Sequence, residues 1–241
     1  MAVTSPPRRA GHAEHRGPLP LIAGIVAVLV LAAVGIALLA RNTGSSGPGV
    51  QGSGIAVTQP RTVGGFSGLD LAGSNVVTVT VGAPRSVVVH ADSNLIADVT
   101  TQVVGGNLVI GTVGGFTTHS PMNVAVTVPS LTSLQLTGSG QISVTGIKVP
   151  RLDVTLSGSG MLTAAGTATQ LYVTLAGSGE AQLYQLTASN ARAIVTGSGL
   201  VQVTATRALN AAVPGSGAIF YEGNPTQVTT SVTGSGAVMP G

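Results

Sequence analysis

LQLTGSGQISVTGIKVPRLDVTLSGSGMLTAAGTATQLYVTLAGSG, residues 134–179, carries Gly-Ser-Gly three times at nearly equal intervals. Across the C-terminal half the triplet recurs with its first glycine at 138, 158, 177, 197, 215 and 234, in steps of 20, 19, 20, 18 and 19 residues. A period near 20 marks stacked supersecondary units, each burying its apolar side against the next.

The flanks of the triplet set the geometry. Two positions before the first glycine lie Leu136, Leu156, Leu175, Val195, Val213 and Val232; four after it lie Ile142, Leu162, Ala181, Val201, Ile219 and Val238. Five before it the residues are Ser133, Asp153, Tyr172, Arg192, Asn210 and Thr229. Apolar residues at even offsets and polar ones at odd offsets form a period of two, the strand signature. The pattern predicts an all-β fold, a parallel β-solenoid (β-helix) of about 20-residue coils.

Both glycines of each triplet fall on inward parity: Gly138 and Gly140, Gly158 and Gly160, Gly177 and Gly179, Gly197 and Gly199, Gly215 and Gly217, Gly234 and Gly236. They are expected to form corners where the chain bends and no side chain fits, through unusual φ or close backbone approach. The intervening serines then point outward. The triplet alone is not the signal. Gly52-Ser53-Gly54 is followed by Ala56 and Thr58 where two apolar positions belong. Gly73-Ser74-Asn75 satisfies the template, with Leu69 and Leu71 before and Val77 and Val79 after. Its asparagine is expected to tolerate the left-handed conformation a glycine would take. Segments 85–91 and 122–129 also alternate, and Gly105-Gly106 is placed to close a two-residue hairpin.

Leu19 to Ala40 is a run of 22 residues without a charge. As a helix it spans about 33 Å, enough for a hydrocarbon core of roughly 30 Å. Arg8, Arg9 and Arg16 precede it, and after Arg41 no charge appears until Arg61. The positive-inside rule then puts the N-terminus in the cytoplasm and the rest outside. A cleaved signal peptide fits less well, because its apolar region runs only about 7–15 residues. The expected organisation is a short disordered cytoplasmic tail (1–18), a single transmembrane anchor helix (19–40), a Gly/Ser/Pro-rich linker (41–60) and a β-helical domain (61–241).

Composition excludes several classes. Only 7% of residues are charged and 44% are hydrophobic, the reverse of a disordered chain. From residue 42 onward six cations balance six anions, so no basic stripe exists to follow nucleic acid. Without cysteine there is no disulfide framework, thiolate nucleophile or Cys-based metal site.

The motifs together resemble the auto-transporter adhesin head GIN domain family. They are GFSGLDLAGSN (65–75), VVVHADSNL (87–95), GNLVIG (106–111), VAVTVPSLTSLQLTGSG (124–140) and the later triplets. The resemblance implies a β-helical, surface-exposed bacterial domain and carries over no catalytic residue.

No catalytic constellation is visible. A nucleophile elbow needs G-x-S-x-G, which is absent, and only His90 and His119 follow the apolar run. The acids are dispersed; Asp92 and Asp98 are closest, at a spacing that fits no EF-hand loop. The chain is therefore expected to be no enzyme and to need no cofactor or metal. Asp153, Tyr172, Arg192 and Asn210 share one outward column, a polar strip about 14 Å long if the coils stack in register. It could contact a cell-wall or surface glycan with Tyr172 as a stacking platform, or be plain solvated strand.

The functional expectation is an adhesion or recognition module outside the membrane. A structural envelope protein without a dedicated ligand, or an envelope sensor, is the alternative. The last coil looks incomplete, and Val228, Val232 and Val238 fall at its end. The expectation there is self-association, with residues 80–130 as the other candidate cover.

Overall fold

The computed structural model describes residues 49–241. The tail, the anchor expected over 19–40 and the first part of the expected linker lie outside the described residues. Among the described residues all regular structure is β. In chain order the strands are β1 (Val50–Gln51), β2 (Ala56–Pro60), β3 (Gly68–Ala72), β4 (Val76–Val81), β5 (Ser86–Asp92), β6 (Val99–Val104), β7 (Asn107–Thr112), β8 (Phe116–Thr117) and β9 (Asn123–Val128). The repeats follow as β10 (Ser133–Gly138), β11 (Gln141–Gly158), β12 (Met161–Gly177), β13 (Glu180–Val195), β14 (Leu200–Val213), β15 (Ala218–Glu222), β16 (Gln227–Val232) and β17 (Ala237–Pro240).

Two parallel ladders meet at the triplet corner. Before the corner, β7, β3 and β10 stack in that order. They are followed by the later parts of β11, β12, β13 and β14, and then β16. After the corner the order is β9, β4, the earlier parts of β11 to β14, β15 and β17. The result is a β-solenoid of about five turns.

Its interior is columns of aliphatic side chains. Leu71, Leu136, Leu156, Leu175 and Val195 align rung by rung, and so do Val77, Ile142, Leu162, Ala181, Val201 and Ile219; all of these are fully buried. Each large aliphatic side chain removed from water this way contributes about 1.5–3 kcal/mol. Narrow coils have room for such residues but not for rings, which is why Phe66 is the one aromatic among the buried core residues.

The corners use glycine for two separate reasons. At the first position φ is +143° in Gly138, +147° in Gly158 and +151° in Gly177; Gly197, Gly215 and Gly234 lie outside this left-handed range, and there a Cβ would strike the carbonyl oxygen of the glycine beneath. At the second position φ is ordinary, but a Cβ would strike the coil beneath. At Gly179 it would lie 2.6 Å from the Gly160 carbonyl oxygen and against Leu156 Cδ2. The backbone stays paired through the bend: Ser178 and Gly179 N–H both donate to the Gly158 carbonyl, at 3.0 and 2.9 Å. Asn75 corrects the expectation of a left-handed asparagine. It is absent from the positive-φ residues, and the residue is buried. The coil beneath it has no triplet, so the space a Gly-Ser-Gly corner would occupy is open to a side chain.

The stacking order is not the chain order. Coil β3–β4 lies between β7/β9, which follow it in sequence, and β10–β11. Residues 82–130 therefore build the end of the solenoid next to β3–β4. There β5 runs antiparallel to β9, and β6 runs antiparallel to β7 through the expected hairpin. Gly105 and Gly106, at φ +57° and +80°, supply the two left-handed residues of a type I′ turn. This corrects the idea that residues 80–130 could cover the last coil, since they sit at the opposite end.

The expected linker over 41–60 also needs correction, because its second half is part of the fold. Strand β2 pairs antiparallel with the free edge of β5, and β1 pairs with β8. Being an edge strand, β2 exposes four of its five residues, so no apolar alternation announced it. Pro60 suits such an edge, where one side of the strand needs no N–H donor.

Candidate functional site: an outward polar groove

The register places the predicted polar column in one line. Asp153 pairs with Tyr172, Tyr172 with Arg192 and Arg192 with Asn210, and Thr229 extends the line by one coil. Beneath these residues Leu152, Leu171, Ala191 and Leu209 are buried, so the column stands on a rigid floor.

A second column runs beside it, two residues earlier in each coil: Arg151, Gln170, Asn190, Ala208 and Gln227. It lies outside the column expected from the sequence. Its signal lies seven positions before the first glycine of each triplet from Gly158 onward, on the same outward parity. Between the two columns lies a shallow groove of ≈ 330 Å³, lined among others by Gln170, Tyr172, Asn190, Arg192, Asn210 and Gln227.

One end of the groove is held by a chain of three side chains. Asp153 accepts hydrogen bonds from Arg151 Nε at 2.9 Å and Nη2 at 2.8 Å, and the Arg151 guanidinium lies 4.3 Å from the Tyr172 ring centroid. The hydrogen bond to Asp153 and its charge hold the Arg151 pKa above its ordinary value. One ring face of Tyr172 is therefore taken by Arg151, and only the remainder is available to a ligand. Among the described residues Arg151–Asp153 is the one ion pair, and Arg192, an exposed cation in the groove, has none.

The groove is chemically a row of primary amides, one unpaired guanidinium and a half-buried phenol. Amides and guanidinium offer paired donors and acceptors at coil spacing, about 4.8 Å. This arrangement can hold hydroxyl-rich or carboxylated groups, and it contains no activated nucleophile.

The two acids nearest in sequence, Asp92 and Asp98, sit in different surroundings. Asp92 is fully buried; its Oδ2 accepts the N–H of His119 at 2.9 Å and of Ser120 at 3.3 Å. The His119 backbone donor is the main reason its carboxyl is held below the usual range. It pins the 118–120 loop and the β1 segment, since Gly52 packs directly on its carboxylate. Asp98 lies in the turn after β5, and no group of three His, Asp or Glu gathers among the described residues.

The comparisons agree with this architecture. A putative adhesin from Bacteroides fragilis NCTC 9343 superposes with a TM-score of 0.67 at 21% identity, over 80% of this chain and 100% of that one. A putative adhesin from Parabacteroides distasonis ATCC 8503 gives 0.53 at 21% identity, with the same coverage. A putative lipid binding protein from the same organism gives 0.52 at 20%, again over 80% and 100%. At these identities the likeness is one of fold. No curated protein matches the sequence. Residues 65–225 match the family model described as "Putative auto-transporter adhesin, head GIN domain", and the chain belongs to that family.

Proposed function

We propose that the chain is a membrane-anchored, extracytoplasmic surface module that recognises a cell-wall or surface glycan through the groove, without catalysis. The observation that carries this reading is the pair of adjacent in-register polar columns. Tyr172, Arg192 and Asn210 stand in one, Gln170, Asn190 and Gln227 in the other. Solvated strand surface needs no such concentration of amides around an aromatic and an unpaired cation. A groove of ≈ 330 Å³ sits at the low end of ligand clefts, about 300–1000 Å³, and suits a short saccharide lying along the coils.

Family membership supports the adhesion class. Arg8, Arg9 and Arg16 ahead of the apolar run 19–40 support an anchor with its N-terminus in the cytoplasm. Asp153, the carboxylate bordering the groove, is engaged by Arg151, which supports binding over acid–base chemistry.

The test is a screen of glycans and cell-wall fragments against the protein, with Arg192→Ala and Asn210→Ala as variants. Each should weaken a hit about tenfold, roughly 1.4 kcal/mol. Thr167→Ala, on another face, should leave it unchanged. Binding that survives both groove variants would move the site elsewhere. No binding at all would favour an envelope protein without a ligand.

A further inference from the structure

The end of the solenoid at β16 and β17 carries two strand edges that flank one corner. Among the described residues β16 is paired only with β14 and β17 only with β15. All six residues of β16 are exposed. Val228 and Val232, each 43% exposed, continue the columns of the fully buried Leu209 and Val213, and Val238 continues that of Ile219. The sequence GNPTQVTTSVTGSGAVMPG (223–241) has no charge. Natural sheet edges are usually blunted by Lys, an inward charge, a bulge or a covering segment. At the other end antiparallel β2 and β6 close the ladders. At this end β17 is short and carries Pro240, but among the described residues β16 has no lysine, proline, inward charge or covering segment.

We propose that this end is an interface with the same end of a second copy, related by a two-fold axis through the Gly234-Ser235-Gly236 corner. The chain enters the corner along β16 and leaves along β17. A two-fold axis there lays each β16 antiparallel to the other copy's β17, so both open edges find donors and acceptors in one operation. An uncharged edge meets its own image without like charges facing each other. Head-to-tail stacking would bring this end against the antiparallel β2 and β6 rather than a parallel coil of matching register, whereas the two-fold arrangement closes as a dimer. Val228, Val232 and Val238 then pass from solvent into a continuous interior.

The absence of cysteine makes the test clean. If the two end coils meet at strand spacing, about 4.8 Å, Ser235 faces its counterpart within the roughly 4.4–6.8 Å Cα separation a disulfide spans. Ser235→Cys in the full chain, mildly oxidised in its own membrane, should give a covalent dimer. Ser139→Cys, equally exposed at an interior corner, should not. Adding Val232→Lys to Ser235→Cys should reduce the crosslinked fraction at least tenfold. The proposal is overturned if folded Ser235→Cys stays monomeric. It is equally overturned if Ser139→Cys crosslinks to the same extent, or if Ser235→Cys joins a different protein.

Discussion

Replacing Gly179 by alanine tests the corner directly. Its Cβ would meet Leu156 Cδ2, the Gly160 carbonyl oxygen at 2.6 Å and the Gly158 carbonyl oxygen at 3.3 Å. Two of the three obstacles are backbone, and that backbone is held by the ladder from Met161 and Glu180, whose N–H groups donate to Gly140 and Gly160 at 3.0 Å each. The clash cannot be relieved by turning one side chain, so the cost should sit in the upper range of overpacking, about 2–3 kcal/mol. Ser178→Ala, exposed and with no side-chain hydrogen bond among the described residues, should cost under about 0.5 kcal/mol. Gly64→Ala, where a Cβ meets nothing within 4 Å, is the glycine control and should fall within about 0.5 kcal/mol of zero. Urea unfolding of the three variants, followed by far-UV circular dichroism, gives the comparison. Shortening Leu156 to valine should recover part of the Gly179→Ala loss, about 0.5–1 kcal/mol of coupling, because one of the three obstacles is removed. Equal losses for Gly179→Ala and Ser178→Ala, both below about 0.5 kcal/mol, would refute the close-approach argument.

Further outcomes follow from the same geometry. Burial pushes the Asp70 carboxyl up to about 6, and its Oδ1 has no partner. The folded state then binds a proton that the unfolded chain releases, so stability should rise as pH falls from about 7 towards 4, where both states are protonated. The full shift is worth about 3 kcal/mol, and partial exposure reduces it to about 1 kcal/mol. Asp70→Asn should keep that gain at pH 7 and flatten the pH dependence measured by thermal melts. Asp92 acts in the opposite sense: its stabilisation is present above the ordinary carboxylate range and lost as pH falls below it. Asp92→Ala should speed amide exchange at His119 and Ser120 while leaving the β11–β13 amides protected. For topology, protease added to intact cells should remove residues 60–241 and spare the N-terminal tail. Finding that domain in the cytosol would end the anchored reading.

The depth at which each feature was readable follows from how local its cause is. Leu136, Leu156 and Leu175 announce the inner wall because strand alternation is a property of adjacent residues, and the triplets announce the corner because each coil repeats the same bend. Once coils of nearly equal length stack, Asp153, Tyr172, Arg192 and Asn210 must align, so half of the groove is legible in the sequence. The other half is equally periodic at Gln170, Asn190 and Gln227, but Ala208 interrupts it, so it does not stand out as a polar column. The Arg151 guanidinium over Tyr172 was not readable, since rotamers along a column depend on which neighbours are charged and how far each can reach.

What the sequence by itself determined is therefore the coil: its period, its aliphatic interior, its glycine corners and its outward columns, all set within about 20 consecutive residues. What only the tertiary structure decided is the order in which coils and edges meet. A parallel ladder accepts any strand of matching parity, and β3 offers the same Leu-x-Leu face to β7 and to β10. Nothing local says that a coil made early in the chain will lie between two made later. Likewise Ala56–Pro60 has the composition of a linker and becomes a strand because β5 leaves one edge unpaired. Edge pairing is satisfied by backbone groups, which every residue except proline possesses alike, and so side-chain pattern cannot record it.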